Sequence, residues 1–88
     1  MYEWDRGKAL ANLVKHGVMF EAAERFDWRT ALVRIDTAHS RDEHRYVAVG
    51  FIDERLHVMV WTPRRAAIRI IGLRKANDRE RKLYEQNA

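Results

Sequence analysis

The stretch EHRYVAVGFIDERLHVMVWT, residues 43–62, decides how this chain folds. Apolar and β-branched residues dominate both halves, and the polar triplet Asp53-Glu54-Arg55 interrupts them at the centre. Such residues favour strands, and a short polar break between two apolar runs favours a tight turn. The pattern predicts a β-hairpin with strands at residues 43–52 and 56–62.

The segments that flank this hairpin predict two more strands. Residues 30–36 alternate between apolar and polar side chains, and residues 67–74 resume the alternation after Pro63, which we expect to end the second strand of the hairpin. A polar loop over residues 37–42 joins the first of these strands to the hairpin. Four strands in this order predict an antiparallel meander.

Alternation along the last two strands assigns their side chains to two faces. In the hairpin's second strand, one face carries Leu56, Val58 and Val60, and the other face carries His57, Met59 and Trp61. In the following strand, one face carries Arg69, Ile71 and Leu73, and the other face carries Ile68, Ile70 and Gly72. Parity alone does not decide which face is open.

A helix is predicted at Arg6–His16, with Asp5 as its N-cap and Gly17 as its C-terminal stop. Its apolar stripe, which we expect to pack on the sheet, consists of Leu10, Leu13 and Val14. A separate polar face carries three residues: Lys8, Asn12 and Lys15.

Two further helices complete the pattern. Residues 20–26 predict a short helix that buries apolar side chains. Asn77, followed three residues later by Glu80, has the spacing of a capping box and begins a helix to about residue 86. The sequence therefore predicts a single α+β domain over residues 1–88, with two N-terminal helices and a C-terminal helix on one face of a roughly four-stranded antiparallel sheet. The other face of that sheet is the candidate site.

Positive charge is concentrated in the last third of the chain. Of 17 basic residues, 13 are arginine, and the chain has 13 acidic residues. Residues 63–82 contain eight basic and two acidic residues, a net charge of +6, whereas the rest of the chain carries −2. Guanidinium groups bind phosphate oxygens bidentately and stay charged. The distribution favours nucleic acid as a partner, with solubilising surface charge as the alternative for any single arginine.

Composition excludes several classes of function. The chain has no cysteine, and its four histidines match no zinc-ligand spacing. It has no phosphate-binding glycine loop and no nucleophile motif, so we expect neither a cofactor nor a metal. No apolar run approaches the roughly 18 residues of a membrane span, and the N-terminus lacks the apolar core of a signal peptide. We therefore expect the chain to act in the cytoplasm.

Two pairs of residues in the strand region are candidates for catalysis on a phosphodiester. Glu43 and Arg45, two residues apart on one side of a strand, could respectively take the proton of a ribose 2′-hydroxyl and hold the phosphate. Arg64 and Arg69 flank the next turn and could both face one phosphodiester. The alternative for Glu43 and Arg45 is a surface ion pair, which contributes only about 0 to 1 kcal/mol.

Three neighbouring residues have structural alternatives as well. Arg65 and Arg74 could lie over adjacent strands by their aliphatic stems instead of binding RNA. Trp61 could stack on an RNA base, although a tryptophan in a strand is more often part of a core.

A series of short motifs extends over nearly the whole chain. In order, they are Trp4-Asp5, Lys8, Asn12, Lys15-His16-Gly17-Val18, Phe20-Glu21-Ala22-Ala23, Glu43-x-Arg45, Gly50, Thr62-x-Arg64, Arg69-Ile70-Ile71, Arg74-x-Ala76, Glu80-Arg81 and Tyr84. In its order and spacing this series resembles the BrnT family of bacterial toxins. The resemblance implies a RelE/ParE-like fold, a metal-independent endoribonuclease activity that arrests growth, and a BrnA-type antitoxin that neutralises it.

The resemblance also selects site residues. It favours six polar positions, Lys15, Glu43, Arg45, Arg64, Arg69 and Arg74, with Lys8 and Asn12 beside them on the first helix. We predict that four residues are catalytic: Glu43, Arg45, Arg64 and Arg69. We predict that six residues bind RNA: Lys8, Asn12, Lys15, Trp61, Arg65 and Arg74. We expect a toxin–antitoxin heterotetramer that binds its own operator DNA through the antitoxin.

Two other functions fit the same charge distribution. One is a noncatalytic module that binds nucleic acid or an acidic antitoxin. The other is a ParE-like toxin directed at gyrase, because related folds include such members and a fold alone does not establish ribonuclease activity.

Overall fold

The structure is a computed structural model that describes residues 1–39 and 43–88. Its regular elements are β1 (Tyr2–Glu3), α1 (Arg6–His16), β2 (Leu32–Ile35), β3 (Tyr46–Ile52), β4 (Arg55–Arg64), β5 (Ala67–Lys75) and α2 (Asp78–Asn87), with 3₁₀ helices at Phe20–Arg25 and Thr37–His39. Among these described segments, no helix has the length and apolar character needed to cross a membrane. The class is α+β, as predicted.

The sheet has five strands in the order β1-β5-β4-β3-β2. The four-stranded antiparallel meander from β2 to β5 is confirmed, but the predicted strand count is one too low. The fifth strand is β1, which pairs in parallel with β5, opposite Ile68 and Arg69. A strand of two residues has no periodicity to detect, so the sequence pattern could not reveal it.

The hairpin of β3 and β4 closes through Asp53 and Glu54, because Ile52 pairs directly with Arg55. Asp53 has a left-handed φ of 55°, as tight two-residue turns require. The prediction that Pro63 ends the second strand is wrong, since Pro63 pairs with Ile68 inside β4. Part of the predicted loop, residues 40–42, lies outside the described residues.

A β-bulge in β5 changes which side chains share a face. Val60 pairs with Gly72 and Trp61 pairs with Ile70, so Ile71 is an extra residue between two regular halves of the strand. The predicted parity of β5 is therefore wrong across this point. Ile70 and Leu73, three positions apart, are both about 1% exposed in one core.

Helices pack on both faces of the sheet. On the face that we call the helix face, Ala48, Met59 and Ile70 form a core with Phe20 and its 3₁₀ helix. The opposite face, which we call the open face, carries four valines: Val47, Val49, Val58 and Val60. The expectation that all helices share one face is wrong, because Tyr84 of α2 packs with Val47 and Val58 on the open face. α2 covers one part of it and leaves the rest accessible.

The caps of α1 are as predicted. Asp5 accepts a hydrogen bond from the Lys8 backbone nitrogen, and Gly17 ends the helix with a left-handed φ of 72°. The helix is rotated relative to the prediction, however. Its apolar stripe faces solvent, with Leu10 64% and Val14 81% exposed.

The buried side of α1 is polar at its centre. Asn12 is buried, and its side-chain nitrogen donates to the carbonyl oxygens of Leu73 and Val18 at 2.7 and 3.1 Å. Its side-chain oxygen accepts from the Leu73 backbone nitrogen at 3.2 Å. Leu73 lies on β5 beyond the two residues that pair with β1. The Asn12 amide thus pairs with the backbone at the edge of β5 as a neighbouring strand would.

The second N-terminal helix, predicted at residues 20–26, is a 3₁₀ helix at Phe20–Arg25. The C-terminal helix is confirmed together with its capping box. Asn77 accepts a hydrogen bond from the Glu80 backbone nitrogen, and the Glu80 carboxylate accepts one from the Asn77 backbone nitrogen.

Candidate functional site

Glu43 and Arg64 are in direct contact. Arg64 Nη1 donates to Glu43 Oε2 at 2.7 Å, which connects the segment before β3 to the last residue of β4. Both side chains are partly open to solvent, at 35% and 41% exposure. The pair is therefore formed at the surface, where another anion can reach it.

Three of the predicted catalytic residues act on the fourth, Glu43, through their positive charge. The hydrogen bond from Arg64 lowers the pKa of Glu43, and the positive charges of Arg64, Arg45 and Arg69 lower it further. These three guanidinium groups come from three different segments, the approach to β3, the end of β4 and the start of β5. We call Glu43, Arg45, Arg64 and Arg69 the arginine site.

Arg69 has a second acidic neighbour. Its Nη1 donates to Glu3 Oε2 at 2.8 Å, and Glu3 lies directly opposite Arg69 in the parallel pair of β1 and β5. Both side chains are partly exposed. β1 therefore orients one arginine of the site, although it contributes only two residues to the sheet.

Arg74 is held more firmly. It donates two hydrogen bonds to Glu80, from Nη1 to Oε1 at 2.8 Å and from Nη2 to Oε2 at 2.7 Å. The pair lowers the pKa of Glu80 and raises that of Arg74, in each case chiefly through these hydrogen bonds. Because Glu80 also caps α2, Arg74 joins β5 to that helix.

The bulge at Ile71 places Arg69 and Arg74 on the same face of the sheet as Arg64 of β4. Arg69 pairs with Thr62 and Arg74 pairs with Val58, and both partners have the same parity in β4 as Arg64. Strict alternation would have put Arg69 and Arg74 on opposite faces. The extra residue thus aligns the arginines of two strands on one surface.

The structure places the predicted RNA-binding residues of α1 in two different environments, exposed and buried. Lys8 and Lys15 are exposed and available to a ligand. Asn12 is buried and bonded to Leu73 and Val18, which gives it a role in packing, and its role in RNA binding stays a prediction. Burial and then the positive charges of Lys15 and Arg74 lower the pKa of His16.

Trp61 and Arg65 have different surroundings. Trp61 stacks on Tyr46 with ring centroids 4.8 Å apart and meets the edge of Trp28 at 5.7 Å, on the helix face. It pairs with Ile70 across the ladder, so it lies on the opposite side of the sheet from Arg64 and Arg69. Arg65 is exposed in the turn between β4 and β5, next to the arginine site in sequence.

Three residues that position the site were not predicted. Thr62 is almost fully buried and donates to the backbone oxygen of His44 at 2.6 Å, which fixes the segment between Glu43 and Arg45 against β4. Glu3 and Glu80 orient Arg69 and Arg74. Glu80 had a signal in its capping-box spacing, and Thr62 had one in the motif Thr62-x-Arg64, whereas Glu3 had none.

Within residues 1–39 and 43–88, no group of three His, Cys, Asp or Glu side chains is arranged to hold a metal ion.

Of the histidines, His57 is buried on the helix face with Nδ1 2.8 Å from the backbone oxygen of Arg55, and burial lowers its pKa. Tyr84 is also buried, and its hydroxyl donates to the backbone oxygen of Thr30 at 2.8 Å.

Comparison with protein families finds a match over most of the chain. The model of the ribonuclease toxin BrnT of type II toxin–antitoxin systems matches residues 4–80. The chain belongs to the BrnT family. Comparison with curated proteins finds no significant match. The BrnT match includes all ten predicted site residues, and it ends at Glu80, near the start of α2. Family membership implies an RNA substrate and an antitoxin protein partner.

Proposed function

We propose that this BrnT-family chain is a metal-independent endoribonuclease of RelE-like fold in which Glu43, Arg45, Arg64 and Arg69 carry out the reaction. The observation that carries the proposal is the 2.7 Å contact of Arg64 with Glu43 on the open face, a face that Arg69 shares and on which the charges of Arg45 and Arg69 also act on Glu43. A phosphodiester in transition to a five-coordinate phosphorus gains negative charge on its non-bridging oxygens, and guanidinium groups stabilise that charge.

The proposed step is an attack within the RNA itself. Glu43 takes the proton of a ribose 2′-hydroxyl, the 2′-oxygen bonds to the adjacent phosphorus, and the bond from phosphorus to the 5′-oxygen breaks. The products are a cyclic phosphate and a 5′-hydroxyl, whose proton comes from water. Arg45, Arg64 and Arg69 bind the phosphate throughout.

The ion pairs of the free protein are compatible with this step. Partly exposed ion pairs stabilise a protein only weakly, so a phosphate can displace Glu43 from Arg64 and Glu3 from Arg69. A carboxylate that loses its hydrogen bond from Arg64 also regains basicity. Binding of substrate would therefore raise the pKa of Glu43 towards the range that a general base needs.

The proposed test is cleavage of purified RNA in the presence of a chelator. We expect the wild-type protein to cleave, and Arg64→Ala and Arg69→Ala each to lower the rate about 10²-fold or more. Arg25→Ala is the matched control, because Arg25 is an exposed arginine paired with Asp53 at the opposite end of β4. RNA that stays intact at high protein excess, with binding retained, would favour the noncatalytic module instead.

We further propose that a BrnA-type antitoxin neutralises the chain in the cytoplasm and forms a heterotetramer that binds operator DNA through the antitoxin. The net charge of +4 supports an acidic partner surface. Co-expression with the neighbouring open reading frame tests this, because toxicity should disappear and the mass of the purified complex gives its stoichiometry. The family's description as ribonuclease toxins favours RNA over gyrase as the target.

A further inference from the structure

The open face contains a groove between β2 and α2 with a volume of about 510 Å³. Its floor consists of Val47, Val49, Val58 and Val60. Its walls include Leu32 of β2 and Leu83 of α2, together with four charged residues: Arg34, Asp36, Arg74 and Glu80. Leu83 is 51% exposed although it is apolar. We call this surface the β2–α2 groove. An apolar groove that remains accessible on a chain this small is characteristic of a surface that binds a partner.

β2 is the last strand of the sheet on this side, and all four of its residues are exposed. Directly after β2, the Asp36 backbone nitrogen donates a hydrogen bond to the backbone oxygen of Arg45, the residue that precedes β3. Since the bonding direction alternates along an antiparallel pair, the N–H and C=O groups of Val33 and Ile35 point away from β3. An apolar edge with outward backbone groups is a template for an additional strand.

The arginine site lies on the same face as this groove, because Arg64 shares its parity in β4 with Val58 and Val60. A protein that fills the groove and extends carboxylates towards Arg64 and Arg69 would cover the apolar floor and the cations together. A second copy of this chain fits less well, since it would bring the same cationic face and a net charge of +4.

We propose that the antitoxin implied by family membership docks in the β2–α2 groove, where it adds a strand to β2, lays apolar side chains on the valine floor and directs acidic side chains at the arginine site. This inference rests on the proposed function only for the consequence that docking blocks RNA access. The docking itself is independent of whether the arginine site is catalytic.

The first test compares two leucines. The probe is the protein encoded by the neighbouring open reading frame, co-expressed and purified with the full chain. Leu83→Glu places a negative charge in the groove wall and should weaken binding of this protein at least about tenfold. Leu10→Glu is the matched control, because Leu10 is a similarly exposed leucine on α1, outside the groove. We expect it to leave the affinity unchanged.

The second test addresses strand addition. Val33→Pro removes an N–H that points away from β3, so the pairing of β2 with β3 can remain while an added strand loses a hydrogen bond. Val33→Thr keeps the N–H and is the control. We expect weaker binding for proline only, with circular dichroism and thermal melting used to confirm that both variants are folded.

Either of two binding results would overturn the inference: an affinity for the neighbouring protein that Leu83→Glu leaves unchanged, or a loss of that affinity in Leu10→Glu as large as in Leu83→Glu. A dimer of the isolated chain that only Leu83→Glu dissociates would assign the groove to a second copy instead. RNA cleavage by the free variants separates this inference from the proposed function. If the wild-type chain binds the neighbouring protein through the groove but leaves RNA intact, only the ribonuclease proposal is refuted. If the neighbouring protein suppresses RNA cleavage by Leu83→Glu as strongly as it suppresses cleavage by the wild-type chain, only the docking site is refuted.

Discussion

Arg64 donates a 2.7 Å hydrogen bond to Glu43 from the far end of the β3–β4 hairpin. The carboxylate occupies, in the free protein, a position on the guanidinium that an anionic substrate oxygen could take. The pair therefore keeps Arg64 oriented without burying it. It also keeps Glu43 ionised, because the pKa of Glu43 is lowered by this hydrogen bond and by the charges around it.

The titration of Glu43 should respond to Arg64. Removing the guanidinium in Arg64→Ala deletes the largest cause of the lowered pKa, so the pKa of Glu43 should rise towards its ordinary value. Carboxyl-carbon chemical shifts followed by NMR across the acid range measure this directly. Arg25→Ala should leave the Glu43 titration unchanged, and an equal shift in both variants would contradict the assigned contact.

Asn12 should matter for stability rather than for RNA. Asn12→Ala leaves both backbone groups of Leu73 and the Val18 carbonyl without their side-chain partner, and we expect a loss of about 2 to 4 kcal/mol of unfolding free energy. Urea denaturation measures the loss, with Lys8→Ala on the exposed surface of the same helix as control. Unchanged stability combined with weakened RNA binding would instead support the prediction that Asn12 binds RNA.

Gly50 should not tolerate a side chain. A Cβ at this position would lie 2.7 Å from a ring carbon of Phe26 and 3.1 Å from the Cβ of Ala31. Gly50→Ala should therefore destabilise the fold by about 1 to 3 kcal/mol through overpacking. Gly72→Ala is the matched control, since its Cβ would come no closer than 3.8 Å to Asn12 Oδ1. Thermal melting of the two variants should separate them clearly.

The pair of Arg74 and Glu80 should make stability depend on pH. Because the pKa of Glu80 is lowered in the folded state, its contribution is present above the pKa of the unfolded chain and is lost as the pH falls through the folded-state value. Glu80→Gln keeps a side chain that can cap α2 but removes the charge. We expect it to be about 1 kcal/mol less stable at neutral pH, with the difference disappearing in acid.

Glu85→Gln, an exposed change on the same helix, is the control for this experiment. Denaturant unfolding at a series of pH values gives the result. A constant difference between wild type and Glu80→Gln at every pH would show that the charge pair does not contribute.

Local chemistry made parts of the fold predictable. The hairpin around Asp53 is predicted by strand-forming runs on both sides of a polar turn. The capping-box spacing of Asn77 and Glu80 predicts the start of α2. Of the four residues predicted to be catalytic, Glu43 and Arg64 are in direct contact. Whether these residues catalyse a reaction stays a prediction.

The errors came from interactions between distant segments. The apolar stripe containing Leu10 predicted the wrong buried side of α1, because Asn12 finds backbone partners at the edge of β5 that no local pattern encodes. Alternation failed in β5 for a related reason. A bulge is defined by the pairing of two strands, so Ile71 looks regular when β5 is considered alone.

The cationic surface of this protein depends on Ile71, so a deletion of the single codon for this residue would have an unusually large effect on it. Loss of this residue would force β5 either to slip against β4 or to turn its first half over, which would bring Arg69 beneath the 3₁₀ helix and Ile70 into water. Such a frame-preserving deletion would alter no charged residue, yet it would dismantle the cationic surface. Sequence alignments of relatives should therefore be inspected for gaps here before their arginines are equated with those of this chain.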